Sequence, residues 1–191
     1  MKSRLLSVAI LSAVFALPAM AKPVVYTVDP THAQVEFTYS HFGFSHITGR
    51  FDKVEGTITY DPSEPTASSV EFKVDTTSVS TGVAKLDTHL GTPDFLDSAK
   101  FGDATFKSTK VESAGTGKLK VTGDLTIHGV TLPATFDVTV NNVAEHPMKK
   151  KPAAGFDATG TIDRTKYGVT QYAQATGNDV KLAITAEALA Q

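Results

Sequence analysis

The sequence predicts an all-β protein of eight antiparallel strands, closed into a barrel or folded into a sandwich. Two observations carry this. Apolar side chains alternate with polar ones in eight separate runs, which is the period of a strand with one face buried. Turn residues punctuate the runs, most clearly in Gly123–Pro133. There Leu125 and Ile127 share one face, Asp124 and Thr126 the other, and His128-Gly129 supplies the turn, because glycine reaches positive φ without steric cost.

The first run places Val35, Phe37, Tyr39 and His41 on one parity, against Gln34, Glu36, Thr38 and Ser40. Val54, Gly56, Ile58 and Tyr60 make the second, stopped by Asp61-Pro62, where proline denies a further strand its amide donor. Val70, Phe72 and Val74 make the third, with Glu71, Lys73 and Asp75 pointing outward. The fourth is centred on Phe106. Leu119, Val121, Gly123, Leu125 and Ile127 form the fifth, and Phe136, Val138 and Val140 the sixth. Phe156, Ala158, Gly160 and Ile162 form the seventh, and Val180, Leu182, Ile184, Ala186 and Ala188 the eighth.

One region departs from alternation. Between Thr81 and Ala99 the apolar positions Val83, Leu86, Leu90, Phe95 and Leu96 follow helical spacing, and Thr92-Pro93 resembles a cap followed by proline at the first helical position. Two short helices are therefore expected between the third and fourth strands. They serve either as a plug on a filled core or as a lid over a cavity. Small residues on the inward parity (Gly56, Gly123, Ala158, Gly160, Ala186 and Ala188) favour a cavity, since an eight-stranded barrel can be solid or hold one small ligand.

Residues 1–21 have a charged start (Lys2, Arg4), an apolar run from Leu5 to Leu17 and an Ala19-Met20-Ala21 ending. That is the layout of a secretory signal peptide with an A-x-A cleavage site. The expected product is residues 22–191 in the periplasm or outside the cell. The chain has no cysteine, so burial rather than disulfide bonding must hold it together. A net charge of −2 argues against nucleic acid, which calls for a basic face. Lys149-Lys150-Lys151 lies among prolines and reads as a solvated loop.

The chain resembles the YceI-like family of exported, lipocalin-like proteins associated with polyisoprenoid lipids. The matching segments run in order through Tyr26–Asp29, His32–Phe37, His41–Ser45, Gly49–Phe51, Thr77–Thr81, Asp87–Leu90, Asp94–Leu96, Ala104–Thr109, Gly123–Pro133, Gly155-Phe156 and Ile162–Gly168. The resemblance implies an eight-stranded lipocalin-like barrel around a long apolar channel, an isoprenoid ligand, no enzymatic reaction and, in some members, a homodimer. Where the family often carries arginines in the lid, this chain has Leu86 and Gly91. A quinone or another neutral head group is therefore expected rather than a charged one.

The expected channel lining is Val35, Phe37, Tyr39, Ile58, Phe72, Phe106, Leu125, Phe136, Phe156 and Ile184, with Leu86, Leu90, Phe95 and Leu96 from the lid. His41, Asp87 and Arg164 are the polar candidates for its mouth, and a pair of Arg164 with Asp87 or Asp94 is one arrangement open to them. At about 0.8 kcal/mol per buried methylene-sized group, one isoprene unit brings up to ~4 kcal/mol. Eight units would exceed the roughly 20 kcal/mol ceiling on non-covalent affinity, so ordering costs must offset much of it. Tail burial then sets affinity, and a few polar groups select the head.

The histidines His32, His41, His46 and His89 show no metal-ligand spacing, and no Gly-x-Ser-x-Gly elbow is present. No metal site, catalytic residue or catalytic cofactor is expected. Two readings remain. One is a periplasmic carrier exchanging an isoprenoid lipid with membranes or partner proteins. The other is a stress-related structural or protein-interaction domain with a filled core.

Overall fold

The structure, a computed structural model, describes residues 22–191; the expected signal peptide lies outside the described residues. Among the described residues ten strands are present: β1 (Val24–His41), β2 (Ser45–Phe51), β3 (Val54–Tyr60), β4 (Ser69–Asp75), β5 (Val79–Ser80), β6 (Asp103–Gly115), β7 (Lys118–Ile127), β8 (Val130–Glu145), β9 (Pro152–Asp163) and β10 (Asp179–Ala190). β1 is long enough to pair with two of them in series, β2 through Val35–His41 and β3 through Val24–Thr27. β4 and β5 continue this arrangement, pairing with β3 and β2 respectively. β2–β3 and β4–β5 are therefore each one barrel strand with a break. The ring then closes from β4 through β6, β7, β8, β9 and β10 back to β1. Eight antiparallel strands close the barrel, as expected.

Register is set from both faces. Outside, Glu55 stands opposite Lys73, Glu71 opposite Lys107 and Lys120 opposite Asp137, and each pair closes an ion pair at 2.7–3.2 Å. Thr38–Thr48, Thr122–Thr135 and Thr126–Thr131 add cross-strand hydroxyl bonds of 2.8–2.9 Å. Such directly opposed pairs are the unit of sheet stabilisation. Inside, Val35, Ile58, Val121, Phe136 and Ala186 are buried, so a one-residue slip would turn the whole apolar set to water. His128 (φ 52°) and Gly129 (φ 76°) make the expected tight turn, with both central residues in the left-handed region that a two-residue hairpin requires.

Two features escaped the alternation. β2 contributes only Ile47, Gly49 and Phe51 to the inner parity, too little apolar signal in a polar, glycine-containing run. β1 extends past its visible apolar run because four residues, Asp29–His32, bulge out between Val28 and Ala33, opposite Glu187. Asp29 holds this bulge: its carboxylate accepts from the Thr31 amide (2.9 Å) and hydroxyl (2.6 Å) and lies 3.1 Å from His32 Nδ1.

Those hydrogen bonds, the Thr31 hydroxyl first, lower the Asp29 pKa to about 2. The folded value lies below the unfolded one, so the stabilisation is complete above pH 4 and is lost as pH falls through 2. Asp29→Asn should cost about 1 kcal/mol at pH 7 after allowance for solvent screening. The gap between urea titrations of the two proteins should shrink steeply as pH falls from 4 through 2; a gap of constant size over that range would contradict the assignment.

Only one α-helix forms in the region where two were expected. α1 spans Ala84–Leu90, whereas Thr92-Pro93 opens a series of turns. Phe95 and Asp97 amides both donate to the Thr92 carbonyl, and the Leu96 amide returns to Leu90. Asp97, at φ 45°, leaves the right-handed region, so the helix that Pro93 could begin has no continuation.

Candidate functional site

The barrel encloses a cavity of about 600 Å³, within the roughly 300–1,000 Å³ range of small-molecule sites. It runs from His41, Phe42 and Tyr172 at one end toward Ser68, Ser69 and Leu119 at the other. All fourteen residues expected to line a channel stand on its wall. Val35, Phe37 and Tyr39 come from β1, Ile58 from β3, Phe72 from β4 and Phe106 from β6. Leu125, Phe136, Phe156 and Ile184 follow from β7, β8, β9 and β10. Leu86 and Leu90 project from α1, and Phe95 and Leu96 from the turns after it. The helical segment therefore covers vacant space rather than a filled core.

The inward glycines keep that space open by an indirect route. A Cβ at Gly49 would lie 2.4 Å from the Phe37 ring, at Gly56 2.7 Å from Phe72, at Gly123 2.6 Å from Phe106, and at Gly160 2.8 Å from Phe136. Four rings thus occupy the space beside four glycines, close to the wall. Two of them also meet: Phe106 and Phe136 pack edge to face with centroids 5.1 Å apart, a favoured aromatic geometry. Small residues in the sequence suggested room at their own positions; the room they create belongs to the rings.

The mouth is built by α1, its following turns and the segment between β9 and β10. Asp163 opens that segment by accepting from the Thr165 amide and hydroxyl. Arg164 then fixes it from within. Its Nε donates to Gly177 O (3.1 Å), Nη1 to Val169 O (3.0 Å) and Gln171 O (2.9 Å), and Nη2 to the Thr176 hydroxyl (2.7 Å). The side chain is buried on the cavity wall. Neither Asp87 nor Asp94 partners it, which corrects the pairing considered from sequence. Burial lowers its pKa, while Tyr39 and Asp163 act in the opposite direction. Main-chain carbonyl dipoles take the place of a counter-charge.

His41 stands exposed at the rim, as expected of a mouth residue. Asp87 does not reach the wall. It accepts from the Thr81 amide (2.7 Å) and hydroxyl (2.6 Å), tying α1 to the chain leaving β5. Wall residues not anticipated include Tyr60, Val121 and Leu182, which share the inward parity already recognised. Phe51 lies in the unrecognised strand, Tyr167 ends a 3-10 turn (Arg164–Tyr167), and Val169, Tyr172 and Thr176 lie in the loop after it. No alternation or helical spacing marked Val169, Tyr172 or Thr176.

At the far end, Asp29, His32 and Glu187 bring ligand atoms within 4.8 Å of one another, a juxtaposition made by the β1 bulge and absent from any sequence spacing. Glu187 also lies 3.1 Å from His146 Nε2. His146 Nδ1 accepts from the Met148 and Lys149 amides, so in the neutral ring the proton sits on Nε2, facing the carboxylate. A metal ion at Nε2 would have to displace that proton. Asp29 and His32 are already engaged with Thr31 and each other at the bulge.

Comparison with known proteins matches residues 26–188 to the model of the YceI-like domain. A UPF0312 protein of Vibrio cholerae is 37% identical over 184 residues, covering 95% of this chain and 96% of that protein. The crystal structure of Burkholderia cenocepacia BcnA superimposes with a TM-score of 0.76 at 23% identity, covering 84% of this chain and 98% of the other. A polyisoprenoid-binding domain from Saccharophagus degradans, implicated in plant cell wall breakdown, gives a TM-score of 0.64 at 16% identity, covering 88% and 99%. These two share the fold.

Proposed function

The chain belongs to the YceI-like family, and from that premise we propose that it is a periplasmic carrier holding the tail of an isoprenoid lipid in its barrel. The observation that carries the reading is an apolar cavity of about 600 Å³ running along the barrel. At roughly 30 Å³ per water-sized group, it takes about twenty carbons, or four isoprene units. A longer tail would leave its remainder at the mouth. The Saccharophagus domain, described as polyisoprenoid-binding, has the same barrel, which is consistent with this ligand class.

Tail burial provides affinity without chemistry at the tail, so binding is reversible and needs no catalytic group. The head would meet a rim with little charge. Leu86 faces the cavity where an arginine would have offered a cation, and the Arg164 guanidinium already donates to four acceptors. A quinone or other neutral head fits these donors better than a phosphate. Export through residues 1–21 and delivery between membranes complete the proposal. Expression of the full chain in a bacterium, followed by organic extraction of the purified protein and mass spectrometry, should yield one prenyl lipid per chain. Repeated lipid-free extracts would favour a structural or protein-interaction role instead.

A further inference from the structure

We propose that the tip of the β1–β2 hairpin is a bilayer-docking wedge, inserted beside the cavity mouth while a lipid passes in or out. The inference rests on the carrier reading and names the surface with which that carrier exchanges its guest. Phe44 is 93% exposed, and Phe42, Val83 and Tyr172 are about half exposed. Phe42 and Tyr172 also line the cavity at the end closed by α1, so the exposed apolar collar continues directly into the lumen. Met148, the other strongly exposed apolar side chain among the described residues, lies in the β8–β9 turn at the opposite end.

Backbone conformation gives the second argument. Phe42 (φ 52°) and Gly43 (φ 74°) occupy the two central positions of the turn, closed by the Phe44 amide on the His41 carbonyl at 3.0 Å. Asparagine or glycine is suited to the first of these positions, and a bulky residue there carries backbone strain. A phenylalanine stands where the fold alone would favour asparagine, and a second one follows the turn pointing into solvent.

Charge and area decide the occupant. From Phe37 to Gly49 the chain has no Asp, Glu, Lys or Arg, and its titratable side chains apart from Tyr39 are His41 and His46, so lowering this tip into a headgroup layer strips no carboxylate, ammonium or guanidinium of water. With about 200 Å² per aromatic ring, the collar offers roughly 500 Å², short of the ~800 Å² per partner that a stable protein–protein interface buries. That area suits shallow, reversible insertion of a few side chains, with the turn's backbone remaining in the hydrated interface.

The test is flotation of the purified full-chain product with phosphatidylcholine vesicles at 50 mM and 500 mM salt, both chosen conditions, beside Phe44→Ser. Phe44 is absent from the cavity wall, so the variant should keep its lipid content and circular dichroism while vesicle partitioning falls about tenfold. Parent binding should be nearly unaffected by salt. Phe42→Asn should raise the thermal midpoint and weaken flotation together, opposite signs that a simple folding defect does not produce. Equal flotation of parent and Phe44→Ser, loss of parent flotation in high salt, or a Phe44-dependent dimer without flotation would each overturn the wedge. Flotation without any extractable lipid would instead overturn the carrier reading and leave the wedge standing.

Discussion

Arg164→Met should destabilise the protein by about 3–5 kcal/mol, the largest single-residue loss expected outside the strands. The buried guanidinium donates to three main-chain carbonyls and one hydroxyl, all between Val169 and Gly177. Methionine fills much of the same volume but leaves those acceptors without donors in a poorly hydrated place, at about 1–3 kcal/mol for each one that finds no water. Urea unfolding measures the total. Amide exchange at Val169–Gly177 should accelerate more than exchange in β7 or β8, because the unsatisfied carbonyls belong to that segment. Arg164→Lys should recover little, since an ammonium cannot reproduce the planar fork that reaches Val169, Gln171 and Gly177 at once. A loss below about 1 kcal/mol would mean that water replaces the guanidinium easily and that the mouth is not held from within.

The second large effect concerns occupancy. Phe72→Arg should abolish retention of an isoprenoid tail, because Phe72 lies on the wall of the cavity with its ring packed against Gly56. An arginine there would either extend its cation into the lumen or draw water after it. Each five-carbon unit displaced forfeits up to ~4 kcal/mol of burial, so two units suffice to take a micromolar complex beyond detection. Phe72→Leu keeps the wall apolar and should retain lipid. If the arginine variant fails to fold, Ala158→Phe provides the same test by filling the lumen, since Ala158 is also on the wall. Full lipid content in a folded Phe72→Arg or Ala158→Phe protein would place the tail elsewhere.

Much of the barrel was legible because one face of each strand is oily. The expected lining residues of the strands came from runs with one apolar parity, such as Val35–Tyr39 or Leu119–Ile127, and parity alone assigns the inward face of such a run. Ser45–Phe51 failed that criterion: its inward positions include Gly49, whose role is to lie under Phe37, and a glycine adds nothing to an apolar count. The helical spacing of Leu86, Leu90, Phe95 and Leu96 placed all four correctly over the cavity, yet it implied a second helix. Spacing reports which side chains share a face and does not register the left-handed Asp97 that ends the turn. Asp87 was misplaced for a related reason, since its hydrogen bonds to Thr81 depend on how the chain leaves β5.

Local chemistry in the sequence determined the strands, their inward faces, the His128-Gly129 turn and a cover of helical spacing after the third visible run, because each follows from side-chain period or from the allowed φ of a few residues. Closure of the ring, the packing of aromatic rings against Gly49, Gly56, Gly123 and Gly160, and the clamping of Val169–Gly177 by Arg164 were decided only in three dimensions. They join residues far apart in the chain, whose meeting depends on the register of several strands at once. Whether an apolar interior is solid or hollow is such a quantity: composition counts the phenylalanines, and only their packing says whether they meet across the axis or lie against the wall.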